Sequence, residues 1–290
     1  MIKKLDKLFK KSNKIYINNE SKIVIMSDCH RGIGNQNDNF KKNKNIYGEA
    51  LNYYYRNGFT YIELGDGDEM WEIEDYNLII KENIKIFKVI KKFYDNNRLI
   101  MLYGNHDIIK RDIEILEKHF YKYNNINKEE PLLNDLITYE SLILSYNNQD
   151  IFLTHGHQID IINSTLWYST RFLIKNIWKH FEKIAIKDLT DNVKNNKVEN
   201  HLEKHLQKWS IKNNKIIIAG HTHNPIYPEP GTHLYFNDGS CVHPDGITCI
   251  EIEKGNISLI KWSFVFKDNK HISVERQIIV GNQPINSFYK

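Results

Sequence analysis

The chain has 290 residues, of which 41% are hydrophobic, so it is long enough to bury the core of one large domain. Its 40 basic and 36 acidic side chains leave a formal net charge of +4, which argues against a strongly basic nucleic-acid-binding protein. Three cysteines without a Cys-x-x-Cys pair argue against a disulfide framework and favour a reducing, cytoplasmic setting.

Residues 1–14 combine apolar and basic side chains. They lack the long apolar stretch of a secretory signal, and nowhere does the sequence approach the roughly 20 apolar residues of a membrane span. Ile2, Leu5 and Phe9 recur at helical spacing among lysines. The pattern predicts a short basic amphipathic helix that either touches the inner membrane surface or docks on the core, and we favour docking.

Short apolar runs alternate with segments of helical periodicity in the first part of the chain. The pattern predicts strands at 22–27, 60–64 and 98–103, with helices at 46–57 and 75–95 between them. Such alternation favours a parallel sheet of βαβ units, whose sites lie at the carboxyl ends of the strands.

The rest of the chain is mostly strand-like. A hairpin is predicted around the turn at 147–149, and further strands are predicted at 141–146, 150–154, 215–219, 233–236, 247–253, 257–266 and 271–280. We therefore expect one α/β domain over 1–290, with a sheet-on-sheet core and helices outside.

One helical segment, 159–214, interrupts this pattern. Two helices are predicted there, joined by a loop at 190–196 that is rich in Asn and Asp. We interpret the segment as a helical hairpin inserted beside the site, serving as a lid or substrate cap.

Five short polar motifs follow the predicted strands. Asp28 and His30 are separated by one residue, so both side chains can reach one ion, and the two oxygens of Asp66 can bridge two ions. Each motif alone is weak evidence for a metal site, since Asp-x-His and Gly-Asp are common in turns. The occurrence of all five motifs in this order, each after a predicted strand, is hard to explain by chance. The motifs are Asp28-Cys29-His30, Gly65-Asp66, Gly104-Asn105-His106-Asp107, His155-Gly156-His157 and Gly220-His221-Thr222-His223.

Mixed imidazole and oxygen ligands suit Mn, Fe, Zn or Co better than Ca or Mg, and we expect two ions, with Mn first. Two ions about 3.5–4 Å apart can hold a hydroxide between them and clamp a phosphate. His106 is placed to protonate the leaving alkoxide, and Asp107 to orient its imidazole. The chemistry that this pattern favours is hydrolysis of a phosphoester.

These motifs resemble the signature of the calcineurin-like metallophosphoesterase superfamily, over about 22–280. The resemblance implies a four-layer α/β/β/α sandwich with a dinuclear metal site. Carried over residue by residue, it implies that the first metal binds Asp28, His30, Asp66 and His223, that the second binds Asp66, Asn105, His155 and His221, and that His106 is the general acid.

Within that superfamily, the run from Gly65 to Trp71 looks like the UDP-2,3-diacylglucosamine pyrophosphatase branch, which has an acidic residue and a Trp at the places of Glu69 and Trp71. That branch also has a helical insertion after the fourth motif. The chain departs from its best-known members at His106, where they carry Arg. Its substrate would be a phosphorylated small molecule or a lipid-linked one.

Several further residues are candidates for binding substrate. Arg31 could reach a phosphate oxygen or lie at the surface. Arg171 and Lys175 begin a cationic stripe on the first predicted lid helix, which either binds a phosphorylated or membrane-held substrate or is a solvated helix face, and we favour the solvated face. His157 and Asp160 could orient His155 or cap a helix.

The sequence thus predicts a metal-dependent hydrolase of a phosphodiester or pyrophosphate bond that acts through a metal-bridging hydroxide. Alternatives are a nuclease or cyclic-nucleotide phosphodiesterase, a phosphomonoesterase resembling protein phosphatases, or a scaffold that has lost catalysis. Nucleic acid is a less favoured partner because the net charge is small.

Overall fold

Two β-sheets face each other in the computed structural model, which describes residues 1–73, 75–121, 124–125, 128–129, 131–159, 191–267 and 271–289. One sheet has seven strands and the other five. The strands are β1 (Asn13–Ile17), β2 (Lys22–Met26), β3 (Thr60–Leu64), β4 (Leu99–Leu102), β5 (Asn124–Asn125), β6 (Lys128–Glu129), β7 (Thr138–Tyr139), β8 (Ser141–Tyr146), β9 (Gln149–Thr154), β10 (Ile216–Ala219), β11 (Tyr235–Asn237), β12 (Ile247–Glu253), β13 (Asn256–Lys267) and β14 (His271–Pro284).

Helices cover the outer faces of both sheets. The helices are α1 (Ile2–Lys11), α2 (Lys44–Arg56), α3 (Tyr76–Glu82), α4 (Ile84–Asp95), α5 (Ile113–Leu116) and α6 (Asp191–Asn213). Among them, none combines the length and the apolar character needed to cross a bilayer.

The order of strands explains how the layers form. The seven-stranded sheet runs β14-β13-β12-β2-β3-β4-β7, and the five-stranded sheet runs β1-β8-β9-β10-β11. Side chains alternate along each strand, so in β2 Ile23 and Ile25 enter the core between the sheets, while Val24 and Met26 pack under the helices. The resulting helix–sheet–sheet–helix arrangement confirms the predicted α/β/β/α sandwich.

The amino-terminal helix docks on the five-stranded sheet. Leu5 and Leu8 of α1 are buried with Phe152 and Trp209, and Trp209 Nε1 donates a hydrogen bond to Asp6 at 2.8 Å. The apolar side of α1 is therefore occupied by the protein's own core, as favoured from the sequence, and only its lysine side faces outward.

Most predicted elements are confirmed, and the main differences are these. The predicted helix at 75–95 is broken at Asn83, whose amide donates to the carbonyls of Gly32 and Ile79. Strand β1 was missed, although it pairs in parallel with β8. Helix α6 begins at Asp191, so most of the predicted loop is helical. The other predicted lid helix, with Arg171, Lys175 and Asp160, lies outside the described residues.

Candidate metal centre

The metal-ligand motifs meet at one edge of the two sheets. Strands β2, β3 and β4 run parallel to one another, as do β9 and β10, and a motif directly follows each of them. Carboxyl ends of parallel strands share an edge, so residues far apart in sequence converge. The side chains brought together are those of Asp28, His30, Asp66, Asn105, His155, His221 and His223.

One half of the site gathers around Asp28. Its Oδ1 lies 3.1 Å from His223 Nε2 and 3.6 Å from His30 Nε2, and those two nitrogens are 3.3 Å apart. Asp66 Oδ2 approaches His30 Nε2 to 3.9 Å. These atoms converge as a cation site requires, and they are the set that the superfamily resemblance assigns to the first metal.

The other half of the site gathers on the far side of Asp66. Its Oδ2 lies 3.1 Å from His155 Nε2, and the ligand atoms of Asp66, His155 and His221 lie within 4.8 Å of one another. His155 Nδ1 faces the carbonyl oxygen of Leu64 at 2.9 Å, which leaves Nε2 as its ligand atom. Asp66 therefore touches both halves, as a bridging carboxylate would.

Two buried ligand atoms support the assignment of a cation here. Asn105 Oδ1 and His155 Nε2 have no hydrogen-bond partner, although their side chains are buried. An unpaired buried polar atom costs about 1–3 kcal/mol, so such atoms are normally satisfied. A divalent ion beside each would satisfy both, and the donor set of imidazoles, carboxylates and an amide oxygen fits such ions.

The backbone is strained where it presents the ligands. Asp28, His30, Asp66, His221 and His223 have φ between 48° and 69°, in the left-handed region that non-glycine residues rarely adopt. Such conformations cost of order 1–3 kcal/mol each and cluster at functional sites. The remainder of the fold thus holds these five side chains in place at the expense of local backbone energy.

Motif glycines allow the ligand loops to approach closely. A Cβ atom on Gly104 would lie 2.1 Å from Asp66 Oδ1, and one on Gly220 would lie 2.6 Å from Asp28 Oδ2. Both distances are shorter than any real contact, so side chains at these positions would displace metal ligands. Close packing therefore explains why the third and fifth motifs have glycine at positions 104 and 220.

Neighbouring charged groups shift the pKa of Asp28. Burial alone would raise the pKa of Asp28, but His223 and His155 hold it well below its ordinary value. Ser27 donates a short hydrogen bond to Asp28 and lies 2.8 Å from Asp238, whose pKa burial and the nearby Asp28 raise well above the ordinary value.

His106 faces the cavity beside the metal ligands and is held by Glu69. Glu69 Oε2 lies 2.8 Å from His106 Nδ1 and 3.1 Å from His30 Nδ1. Burial would raise the pKa of Glu69, but His106 and His30 keep it well below its usual range. The acidic residue three positions after Asp66 was visible in the sequence, but no contact with His106 was predicted for it.

Trp71 completes this wall of the cavity. Its indole stacks on the His106 ring, with centroids 4.1 Å apart and planes 15° apart. Its Nε1 donates a hydrogen bond to the carbonyl oxygen of Asn105 at 2.7 Å, and its backbone N–H donates to Glu69. Trp71 thus contacts both the imidazole and the backbone of the neighbouring ligand.

Asp107 does not orient His106, so that sequence prediction is wrong. Asp107 Oδ1 accepts hydrogen bonds from the backbone N–H groups of Gly104 and Asp66, and Oδ2 accepts from Gly67. Oδ2 also pairs with Lys110 at 2.7 Å. The carboxylate instead ties the second motif to the third, because the residues it binds flank both ligand loops.

Arg31 is neither at the surface nor at the cavity, so the prediction that it binds substrate is also wrong. Its fully buried guanidinium pairs with Asp68 at 2.7 Å and with Glu63 at 2.7 Å. Lys110 Nζ joins the same carboxylates at 2.7 Å and 3.2 Å. We call this set the buried ion network; its members are Arg31, Glu63, Asp68, Asp107 and Lys110.

His157 and Cys29 occupy interior positions beside the ligands. His157 is buried with its ring 5.4 Å from that of His155, and its Nδ1 has no hydrogen-bond partner. Burial and the nearby His155 lower its pKa well below the ordinary value. Cys29 is buried in the core under the helices.

The ligands open onto a cavity of about 460 Å³, within the range of roughly 300–1,000 Å³ typical of small-molecule sites. His30, Asp66, Asn105, His106 and His223 all reach its surface. A phosphate placed there would meet both the metal ligands and His106, whose ring lies 4.5 Å from that of His30.

Comparison with solved structures gives distant matches. A predicted phosphoesterase from Streptococcus pneumoniae is 15% identical, with a TM-score of 0.37, and covers 89% of this chain and 97% of its own. An archaeal phosphodiesterase is 18% identical, with a TM-score of 0.35, and the match covers 89% of this chain and 99% of that protein. Vacuolar Protein Sorting 29 from Cryptosporidium parvum is 13% identical, with a TM-score of 0.38, and the match covers 89% of this chain and 98% of that protein. Likeness at this distance bears on neither substrate nor mechanism.

No curated protein matches the sequence. Residues 22–254, however, match the Calcineurin-like phosphoesterase superfamily domain, a stretch that contains every motif described above. This chain belongs to the calcineurin-like phosphoesterase superfamily and is a hydrolase of phosphoric esters.

Proposed function

We propose that the protein is a dinuclear-metal-dependent phosphodiesterase or pyrophosphatase. The observation that carries the proposal is the convergence of seven metal-ligating side chains around the shared carboxylate of Asp66, with the unpartnered atoms of Asn105 and His155 at its second half. His106 lines the same cavity, with its ring 4.5 Å from that of His30.

Two divalent ions, when bound, supply an activated water and offset the negative charge of the phosphoryl group. Asp28, His30, Asp66 and His223 would hold one ion, and Asp66, Asn105, His155 and His221 the other. Manganese is the first ion to test, because mixed nitrogen and oxygen ligands suit it.

Side chains of the protein would protonate the leaving group. Glu69 receives the Nδ1–H of His106 and fixes the ring, so the proton given to the departing alkoxide comes from Nε2. Trp71 covers one face of the imidazole and limits its rotation. In this proposal His106 acts as the general acid.

A nucleotide-linked lipid of the UDP-2,3-diacylglucosamine type is the specific substrate that the sequence resemblance suggests. Its support is the presence of Glu69 and Trp71 in the cavity. Contact with a membrane surface would then fall to the exposed lysines of α1, because Leu5 and Leu8 are buried. Within the insertion at 159–214, Leu202, Leu206 and Trp209 of α6 are buried against the five-stranded sheet, so the role of lid would fall to 159–190.

The test is hydrolysis of bis-p-nitrophenyl phosphate beside p-nitrophenyl phosphate, with manganese added and Asp66→Ala as the blank. We expect the diester to be cleaved faster by the wild-type chain. Faster cleavage of the monoester would contradict the diesterase proposal and favour a phosphatase. Activity equal to the blank on both would contradict it as well, and metal analysis would then test the scaffold alternative.

A further inference from the structure

The cavity extends beyond the metal ligands. We call this extension the side pocket; it is lined by Ile33, Asp38, Trp71, Glu72, Ile73 and Val242. It begins beside His106, because Trp71 stacks on that ring. A group esterified to a phosphate at the metal centre would reach it directly.

Apolar side chains form much of the side pocket. Ile33, Trp71, Ile73 and Val242 are all half-buried, so each presents some surface to the cavity. Trp71 is fixed by its hydrogen bond to Asn105 and by the His106 stack. Preformed apolar walls favour the hydrocarbon part of a ligand.

Apart from the histidines of the metal centre, the ionisable side chains that line this cavity in the described residues are carboxylates. Asp66 and Glu69 stand beside the metal ligands, whereas Asp38 and Glu72 stand at the side pocket. Asp38 is held in place by the backbone N–H groups of Gly34 and Lys41, at 2.7 Å and 3.2 Å. Carboxylates are negative at neutral pH, so they repel an anion placed in the side pocket.

We propose that the side pocket receives an uncharged or cationic organic group esterified to the scissile phosphate and selects against a second anionic group. The inference rests on the proposed function and, of the two linkages proposed there, selects a monoanionic diester over the pyrophosphate of a UDP-linked lipid; it also selects against nucleic acids. The metal centre takes the one phosphate, while the side pocket accepts an alcohol with hydrocarbon or ammonium character.

The experiment uses three methyl phosphodiesters of similar size, incubated with the full chain and manganese. Their second alcohols are choline, 3,3-dimethylbutanol and 4-hydroxybutyrate, which carry a positive charge, no charge and a negative charge. Cleavage is followed by ³¹P NMR, which detects either monoester product. We expect kcat/KM for the choline and dimethylbutyl diesters to exceed that for the carboxylate diester by about threefold to tenfold, as partly exposed charges allow.

Variants separate the side pocket from the metal centre. Glu72→Lys should reverse the preference, so that the carboxylate diester has the highest kcat/KM. Glu72→Gln should reduce the difference in kcat/KM between the carboxylate diester and the other two. Glu49→Gln is the matched control, because Glu49 is an exposed carboxylate on α2 outside the cavity lining. It should leave the ratio of the three kcat/KM values unchanged.

The outcomes distinguish this inference from the proposed function. Cleavage of all three diesters with the carboxylate diester fastest would overturn the inference alone, as would a ratio that Glu72→Lys does not change. Rates equal to the Asp66→Ala blank for all three would overturn the proposed function and this inference with it.

Discussion

The carboxylate of Glu69 lies 2.8 Å from Nδ1 of His106 and thereby fixes which nitrogen of that ring faces the cavity. The same carboxylate reaches His30 Nδ1 at 3.1 Å. One acidic side chain therefore contacts both a metal ligand and the proposed proton donor. The position of His106 is consequently coupled to the metal site through Glu69 as well as through its neighbour Asn105.

His106→Ala should slow the cleavage of diesters. The loss in kcat should be larger for a leaving group that must be protonated as it departs. An alkyl alkoxide needs protonation, so we expect a loss of about 10²–10⁴-fold in kcat for a methyl diester. p-Nitrophenolate is a stable anion, and the loss with bis-p-nitrophenyl phosphate should be much smaller. Metal content, measured by mass spectrometry of the purified variant, should not change. Equal losses on both substrates, or loss of metal, would contradict the assigned role.

Glu69→Gln should lower kcat while keeping the size of the side chain. An amide cannot stabilise a protonated His106 as a carboxylate does, and it also weakens the contact with His30. We expect a decrease of about tenfold to a hundredfold in kcat on the methyl diester, close to the effect of losing an orienting group. In the double variant with His106→Ala the two losses should not add, and full additivity would disprove the coupling.

Much of the fold followed from the sequence because local patterns were strong. The hairpin of β8 and β9 was predicted from Asn147 and Asn148, and both residues indeed have positive φ. Each strand ending in a ligand motif was found within a residue or two of its position. Strand β1 was missed because its residues are mostly exposed or half-buried, so it has no continuous apolar run.

The side chains that converge at the candidate metal centre were found from their order along the chain, whereas the contacts around them were not. Arg31 and Asp107 were assigned to substrate and to His106 because they adjoin ligands in sequence. The structure instead joins each of them to a partner from another motif, namely Asp68 and Gly67. Such pairings depend on how β2, β3 and β4 align, and no periodicity in one sequence encodes that.

Lys110→Met should destabilise the fold strongly. Lys110 is fully buried and pairs with Glu63, Asp68 and Asp107, which raise its pKa well above the ordinary value against the effect of burial. Removing this cation leaves buried carboxylates uncompensated, at a cost of about 3–5 kcal/mol in the free energy of unfolding. Urea denaturation measures the change.

Lys88→Met is the control for that experiment, because Lys88 is exposed on α4. It should alter the free energy of unfolding by less than about 0.5 kcal/mol. Equal stability of the two variants would show that the buried ion network contributes little.

Asp66→Ala should empty both metal positions. The carboxylate lies 3.1 Å from His155 on one side and 3.9 Å from His30 on the other, so both ions would lose a ligand. Asn105→Ala, by contrast, should reduce occupancy of the second position alone. The check is the metal-to-protein ratio after dialysis. A ratio of one in Asp66→Ala would show that this carboxylate does not bridge.

Metal binding should release protons at neutral pH. Burial lowers the pKa of His155, but Asp66 and Asp28 oppose this effect and raise the pKa to about 9 in the metal-free chain. His155 is then protonated below about pH 9, and an ion must displace that proton to reach Nε2. Apparent affinity for manganese should therefore rise with pH, by about tenfold per unit for one displaced proton, and level off above about 9. Calorimetric titrations in buffers of different ionisation enthalpy count the protons released. An affinity that stays constant between pH 7 and pH 9 would contradict a raised pKa of His155 in the metal-free chain, because a ligand that is already deprotonated releases no proton when the ion binds.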